Sequence, residues 1–431
     1  MTDMPKTKND IAWEQLFDKY NIIDSVTHKG YFIIASEQIN VFRESRLMTK
    51  FDHKRNLPQL FGQNKLAILP ISRGSYIIAQ FEAYHKFENS KHQIHRVSFP
   101  DYIQSIDCEN ITSEATAINT AYVSGILADF TGDEGLFPTV SGRMSSNAFD
   151  FQIKSSVNEN MLPIRVSNSQ VEIDGGYEGI NALTIIEAKN FISDDFLVRQ
   201  LYYPFRLWKN QINKPVRTIF LVYSNGIFSF YEYIFERLED YNSLSLVQQK
   251  NYAIEPEDIT FDDVNQVFNN VKIVIEPYGI PFPQANSFKR LINLCELLYE
   301  NDTLTRDEIT YNYDFDSRQT NYYTDAGRYL GIIDKNREDG TIKYFLTDRG
   351  KSLFGLNIKA RNLKLTGWIL EHKPFYLTFK RCLELIEIPT KDEITEIMRV
   401  SDLYNIEAES TFYRRASSIS GWINWIMDLY R

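Results

Sequence analysis

The chain has 431 residues, enough for two to four domains that each bury a core. With 43% apolar residues, 29 Phe and 26 Tyr it has the composition of a globular protein, and no apolar run nears the roughly 20 residues that span a bilayer, so a membrane partner is not expected. The net charge of −10 argues against a polyanionic partner, but the distribution softens this: acid crowds YEYIFERLEDY and EPEDITFDDV, while base gathers in FRESRLMTKFDHKR and toward the C-terminus, and local patches decide where an anion sits.

The opening MTDMPKTKND lacks the apolar stretch of a secretion signal. Cys108, Cys295 and Cys382 lie too far apart for a zinc spacing or a disulfide framework, so a reducing cytoplasm is expected. Residues 1–100 are expected to form an α/β accessory domain. They begin with an amphipathic helix around Trp13, Leu16, Phe17 and Tyr20, and continue with strand-like runs YFIIA, KLAILPI and YIIAQFEAY. Residues 101–283 turn α/β: SEATAINTAYVSGILADF reads as one helix capped by Ser113. Strand candidates AFDFQIK, QVEIDGGY, ALTIIEAKN and RTIFLVYS follow, with the helix DDFLVRQLYYPFRLWKNQ between the last two. Residues 284–360 contain three helical patterns and then a hairpin, DKNREDGTIKYFLT, turning at Asp339-Gly340. That is the layout of a winged helix. Residues 361–431, ending in KDEITEIMRV and ESTFYRRASSISGWINWIMDLYR, suggest a second helix-turn-helix unit.

The informative stretch is VEIDGGYEGINALTIIEAKN. Asp174 closes a short β-pattern, Gly175-Gly176 and Gly179 read as a turn, and a second strand delivers Glu187 and Lys189. Residues two apart on a strand share a face, so Glu187 and Lys189 project together, and an antiparallel return brings Asp174 beside them. Adjacent carboxylates repel, and a buried lone lysine is costly. A hard divalent cation resolves the repulsion: Mg²⁺ takes one or two carboxylates, keeps waters and binds phosphate oxygens. The Ala188 carbonyl, between the two side chains, is a candidate further ligand. Lys189 would orient or deprotonate a water, or hold a phosphate. The plain alternative is a salt-bridged hairpin end. Glu371-His372-Lys373 repeats Glu-x-Lys in a helical run and is set aside, as are Gly350-Lys351-Ser352 and His92-x-x-His95.

Asp174 followed after twelve residues by Glu187-Ala188-Lys189 resembles the PD-(D/E)XK nuclease motif, with Ile173 where Pro often stands. The helix–strand–strand–strand–helix–strand order over about 113–235 is similar to that superfamily's core, and within it type II restriction endonucleases look nearest. The resemblance implies an α+β multidomain protein with a central mixed-sheet nuclease core flanked by helices and mainly helical winged-helix domains at the C-terminus. It implies Asp174 and Glu187 as metal ligands and Lys189 as the base or phosphate-positioning group. Glu114 falls where some members carry an extra acid, though an acid in a helix's first turn is accounted for by the dipole alone. Gln200 falls where relatives place a polar residue facing the site; a solvated helix residue is the alternative.

For DNA contact the residues are Arg318, Gln319, Thr320, Tyr322 and Arg328 on the third helix of the first winged unit, which would enter the major groove. Thr411, Tyr413, Arg414 and Arg415 hold the equivalent place in the last block, where Tyr413 and Arg415 also suit an ordinary helix. Arg337 and Lys343 flank the wing and would touch phosphates. Arg43, Arg46, Lys50, Lys54 and Arg55 form a further patch or a solvated face, and Arg143 sits in a Ser-Gly-Arg turn before a strand. The expectation is a sequence-specific endonuclease cutting double-stranded DNA with Mg²⁺, or Mn²⁺ in its place. It would act as a homodimer on DNA, and a cognate DNA methyltransferase would be its functional partner. The alternatives are a repair or modification-dependent nuclease and a non-catalytic DNA-binding regulator.

Overall fold

The computed structural model describes residues 6–88, 93–133, 135–254, 258–313, 315–338, 340–404, 406 and 408–430. Residues 1–5, His92, Glu255-Pro256-Glu257 and Asp339 of the hairpin turn lie outside the described residues. The fold is mixed α+β, 41% helix and 27% strand. Among the described residues no helix is long and apolar enough to cross a membrane.

The N-terminal helix Lys8–Tyr20 starts on a capping box, with the Thr7 hydroxyl and the Asp10 carboxylate exchanging bonds with each other's backbone. It buries Trp13, Leu16 and Phe17 on a sheet ordered Tyr31–Ala35, Ser75–Ala79, Ala67–Ser72. Strand alternation splits that sheet between two cores. Ile68 and Ile78 face the N-terminal helices, while Leu69, Ile77 and Ala79 face the central region. The basic loop-like stretch between Tyr31–Ala35 and Ala67–Ser72 coils into short helices, including Ser45–Thr49, Lys54–Asn56 and Gln59–Gln63.

The central sheet has seven strands: β1 Ile94–Val97, β2 Phe137–Ser145, β3 Gln170–Glu178, β4 Leu183–Lys189, β5 Val216–Ser224, β6 Ile227–Phe235 and β7 Leu244–Ile254. Their spatial order is β1-β7-β6-β5-β4-β3-β2, with β4–β5 and β1–β7 parallel and the other pairs antiparallel. All seven residues of β4 are buried, as a central strand covered on both faces requires. Ile186 and Ala188 pack toward α1 (Glu114–Val123), whose N-cap is Ser113 as expected. Leu183 and Ile185 pack toward α2 (Arg199–Lys209).

Four local readings are corrected. The expected single helix over 113–130 breaks after Val123 and resumes at Ile126–Thr131, because Gly125 adopts φ +78°. AFDFQIK is a strand, but it pairs with Met161–Ser167 in a separate ribbon. Its place in the sheet belongs to β2, a mostly exposed edge strand whose polar sequence carries no alternation. Arg143 therefore sits on a strand, opposite Glu172, and not in a turn. Gly175 and Gly176 lie inside β3, paired with Ile186 and Ile185. A Cβ on Gly176 would lie 2.7 Å from Val140 Cβ and one on Gly175 3.0 Å from Ile118, so these glycines permit close packing and do not turn the chain.

The C-terminal region runs α3 (Phe288–Asn301), β8 (Thr303–Thr305), α4 (Arg306–Asn312), α5 (Ser317–Tyr329), β9 (Ile333–Glu338) and β10 (Thr341–Leu346). The last three strands form one small sheet, ordered β8-β10-β9. Helices α6 (Ile358–Leu370), α7 (Lys373–Leu385), α8 (Lys391–Arg399) and α9 (Glu409–Asp428) follow. One apolar core runs from Ile259 to Met427. Trp422 of α9 packs edge-on against Phe288 of α3 (4.9 Å) and donates to the Ala285 carbonyl just before that helix at 2.7 Å, tying α9 to the start of the C-terminal region.

Candidate active site

The β3–β4 ladder runs from Leu183↔Glu178 to Ile186↔Gly175. Asp174 comes next on β3, and there its side chain takes over from the backbone: Oδ2 accepts the Ala188 N–H at 2.8 Å. The strands open around that carboxylate, and Glu187 and Lys189 enter the opening from β4. Lys189 Nζ donates to Glu187 Oε1 at 2.6 Å and to the Ala188 carbonyl at 3.1 Å. Gln200, the second residue of α2, donates its amide N–H to the same Glu187 oxygen at 2.5 Å. Glu114, the first residue of α1, places a carboxylate oxygen 3.6 Å from Lys189 Nζ. The five residues expected to carry chemistry thus converge on one cleft, whose walls also include Arg46, Lys50, Asp52, Arg143 and Arg199.

The electrostatics follow from burial. Glu187 is 7% exposed, and its carboxyl is pushed up to about 8, by burial first and by Asp174 next, with Lys189 pulling the other way. Glu114 is also raised, chiefly by burial. Burial would lower Lys189, but Glu187, Glu114, Asp52 and Asp174 outweigh it and hold the ammonium well above its ordinary value. Lys189 is therefore a fixed cation at neutral pH, which suits holding an anion or orienting a water better than abstracting a proton. Asp52 goes the opposite way: burial would raise it, yet Lys189, Lys50, His53 and Arg199 bring it down.

A hard divalent cation fits these donors. Two carboxylates, the Ala188 carbonyl and the Gln200 amide oxygen, which is buried with no hydrogen-bond partner, make an all-oxygen set. Among the described residues no three His, Cys, Asp or Glu side chains form a complete metal cage.

The span Asn190–Asp195, directly after β4, is gripped from both sides. From the N-terminal segment, His53 Nδ1 lies 2.5 Å from the Asp195 carbonyl, Lys54 N–H donates to Asp195 at 3.1 Å, and Arg55 pairs with Asp194 at 3.0 Å. From α3, Arg290 pairs with Asp194 at 2.9 Å and Asn293 donates to the Asn190 carbonyl at 2.7 Å.

The residues expected to touch DNA scatter more widely. Arg318 is exposed near the start of α5, Tyr413 and Arg414 are exposed on α9, and Arg415 faces Tyr322 and Asp325 of α5. Thr411 accepts from Arg414. Gln319 caps α5 through Asp316 and accepts from Arg55. Arg337 reaches the Gly340 carbonyl, and Lys343 pairs with Glu338 along the β9–β10 hairpin. Arg43 is partly buried, whereas Arg46 and Lys50 line the acidic cleft. Thr320 is a correction: it is fully buried, its hydroxyl bonded to Thr310 and the Asp316 carbonyl, because it lies on the inner face of α5. Arg328, mostly covered, is committed to Asp325 and Asp334. Sequence reasoning missed Asp52 and Arg199; only the proximity of Asp52 to the basic run, and of Arg199 to Gln200, could have drawn attention to them.

Three family models match the chain in succession: a domain of unknown function, DUF6996, over residues 10–78; another, DUF6997, over 79–253; and a third, DUF7226, over 290–431. No curated protein and no solved structure matches the chain. The cleft draws on the first two matched segments, since Arg46, Lys50 and Asp52 belong to one and the acid–lysine group to the other.

Proposed function

We propose that the chain is a Mg²⁺-dependent endonuclease of PD-(D/E)XK type that hydrolyses phosphodiesters in duplex DNA as a site-specific restriction enzyme. The observation that carries this reading is the meeting of Asp174, Glu187 and Lys189 in one buried opening between β3 and β4, with Lys189 on Glu187 at 2.6 Å and Asp174 on the Ala188 amide at 2.8 Å. Asp174, Glu187 and the Ala188 carbonyl would hold the cation. Mg²⁺ bound there supplies an acidified water and charge neutralisation at phosphate. Lys189 orients the attacking water or the phosphate, and Gln200 fixes the rotamer of Glu187. Glu114 balances the charge of Lys189 from the opposite helix.

The helix–strand–helix–helix–hairpin order of α3 to β10 supports a winged-helix assignment, with α5 as the groove-entering helix and Arg318 and Tyr322 on its accessible side. Arg337, Lys343 and Arg414 would rest on phosphates, and Arg46, Lys50 and Arg143 would hold the strand at the cleft. Cutting both strands asks for two such clefts, hence a homodimer on DNA, and restriction asks for a methyltransferase acting on the same site.

The test is supercoiled plasmid with Mg²⁺. The wild-type chain should linearise it, Mn²⁺ should substitute, and Glu187→Ala or Lys189→Ala should lower the rate about 1,000-fold or more. Plasmid bound but left intact by the wild type would replace catalysis with a regulatory role.

A further inference from the structure

The cleft contains a cation that the reading above leaves without a task. Arg199 is the first residue of α2 and lines the opening alongside Asp52, Glu114, Asp174, Glu187 and Lys189. A positive side chain in the first turn of a helix meets the positive end of the helix dipole, and this cost is offset only in part by the Asp52 carboxylate, which Arg199 helps hold below its ordinary value. Its Nε is buried and has no hydrogen-bond partner, which adds an uncompensated desolvation cost. Its guanidinium lies over the Tyr203 ring at 5.6 Å, which fixes its direction without neutralising its charge. Two further cations, Arg46 and Lys50, reach the same opening from the N-terminal segment. A planar guanidinium forks onto two phosphate oxygens, and the first N–H groups of an 11-residue helix favour the same charge.

We propose that Arg199, aided by Arg46 and Lys50, forms an anion site for a backbone phosphate flanking the one to be cut, so that the N-terminal and central segments jointly hold the substrate strand. This rests on the endonuclease reading for the identity of the anion, but not for its existence. Arg199 is a substrate-positioning residue, distinct from the acid–lysine group that faces the reacting phosphate.

The probe is deoxythymidine 3′,5′-bisphosphate, which carries two phosphates on one sugar, added without metal to the full chain. Thermal melting is followed for the wild type, Arg199→Gln, Arg199→Lys and the Arg46→Gln/Lys50→Gln double variant. The bisphosphate should raise the wild-type midpoint, raise that of Arg199→Lys less, and leave Arg199→Gln unmoved. Ligand-free Arg199→Gln should melt close to the wild type, because relief at the helix start offsets the loss of one of the cations that face Asp52. An equal rise in Arg199→Gln, no rise in the wild type, or a markedly lower ligand-free midpoint overturns the proposal, the last by marking a structural role. Plasmid cleavage separates the two ideas. Under single-turnover conditions Arg199→Gln should be slower by about 100-fold. A wild type that binds the bisphosphate through Arg199 yet leaves plasmid intact sinks the endonuclease reading and keeps the anion site. A wild type and an Arg199→Gln that cleave equally do the reverse.

Discussion

Glu187 shows how one residue sets a pH dependence. Its carboxyl rises from an ordinary 4.5 to about 8 in the fold, so the folded chain retains a proton that the unfolded chain has released. Between those values the slope of stability with pH is negative for this group: its contribution is whole below 4.5, shrinks as pH rises, and is gone once pH passes about 8. Above that point the buried Glu187 carboxylate is charged beside Asp174, and a divalent cation has most to neutralise. Mg²⁺ should therefore raise the melting midpoint more at roughly pH 8.5 than at roughly pH 6.5, because a ligand stabilises in proportion to its affinity for the folded form. Glu187→Gln should abolish the difference, and equal shifts at both pH values in the wild type would count against cation binding at this carboxylate.

At the scale of the element, β3 is the part most exposed to a single methyl group. Gly176 faces the Val140 backbone and side chain, with Cβ contacts of 2.7 and 3.0 Å if alanine stood there. Gly176→Ala should cost about 1–3 kcal/mol in urea unfolding. Gly62→Ala, whose methyl would meet nothing within 4 Å, provides the control and should leave the midpoint within a few tenths of a kcal/mol. The same glycines show what a sequence conveys. Glu187 and Lys189 were legible because side-chain direction along a strand is local and has period two. The Gly-Gly pair was read as a turn because the reason for it, a neighbouring strand some 36 residues earlier, is non-local (176 against 140). AFDFQIK declared itself a half-buried strand, but alternation says that one face is covered and not by what. β2 escaped notice since an exposed edge strand needs no apolar periodicity. Asp52 and Arg199 had only their neighbours in sequence to mark them, for they reach the cleft from opposite sides of a contact that the tertiary fold creates.

The whole molecule does not divide where the matched segments do. The core that contains Ala67, Leu69 and Ile77 on one side of the boundary between residues 78 and 79 also contains Ala79, Phe81, Phe151, Ile164 and Tyr203 on the other. Polar ties cross the same line: Tyr203 donates to the Pro70 carbonyl at 2.9 Å, and the Leu197 amide to the Asp52 carbonyl at 2.9 Å. A fragment covering 79–431 should therefore expose a sheet-sized apolar face and aggregate on size-exclusion chromatography, whereas the full chain should elute as a discrete species. A soluble, cooperatively melting fragment would show that the first segment is an appendage. The span from Asn190 to Asp195 gives that integration a sharper meaning. It leaves the strand that bears Glu187 and Lys189, and its anchors are owned by neither flank alone: Arg55 from one side and Arg290 from the other close on the single carboxylate of Asp194. The spacing of the two acids and the amine is consequently a property of three mutually braced pieces of polypeptide, and loosening any one of them relaxes the same joint.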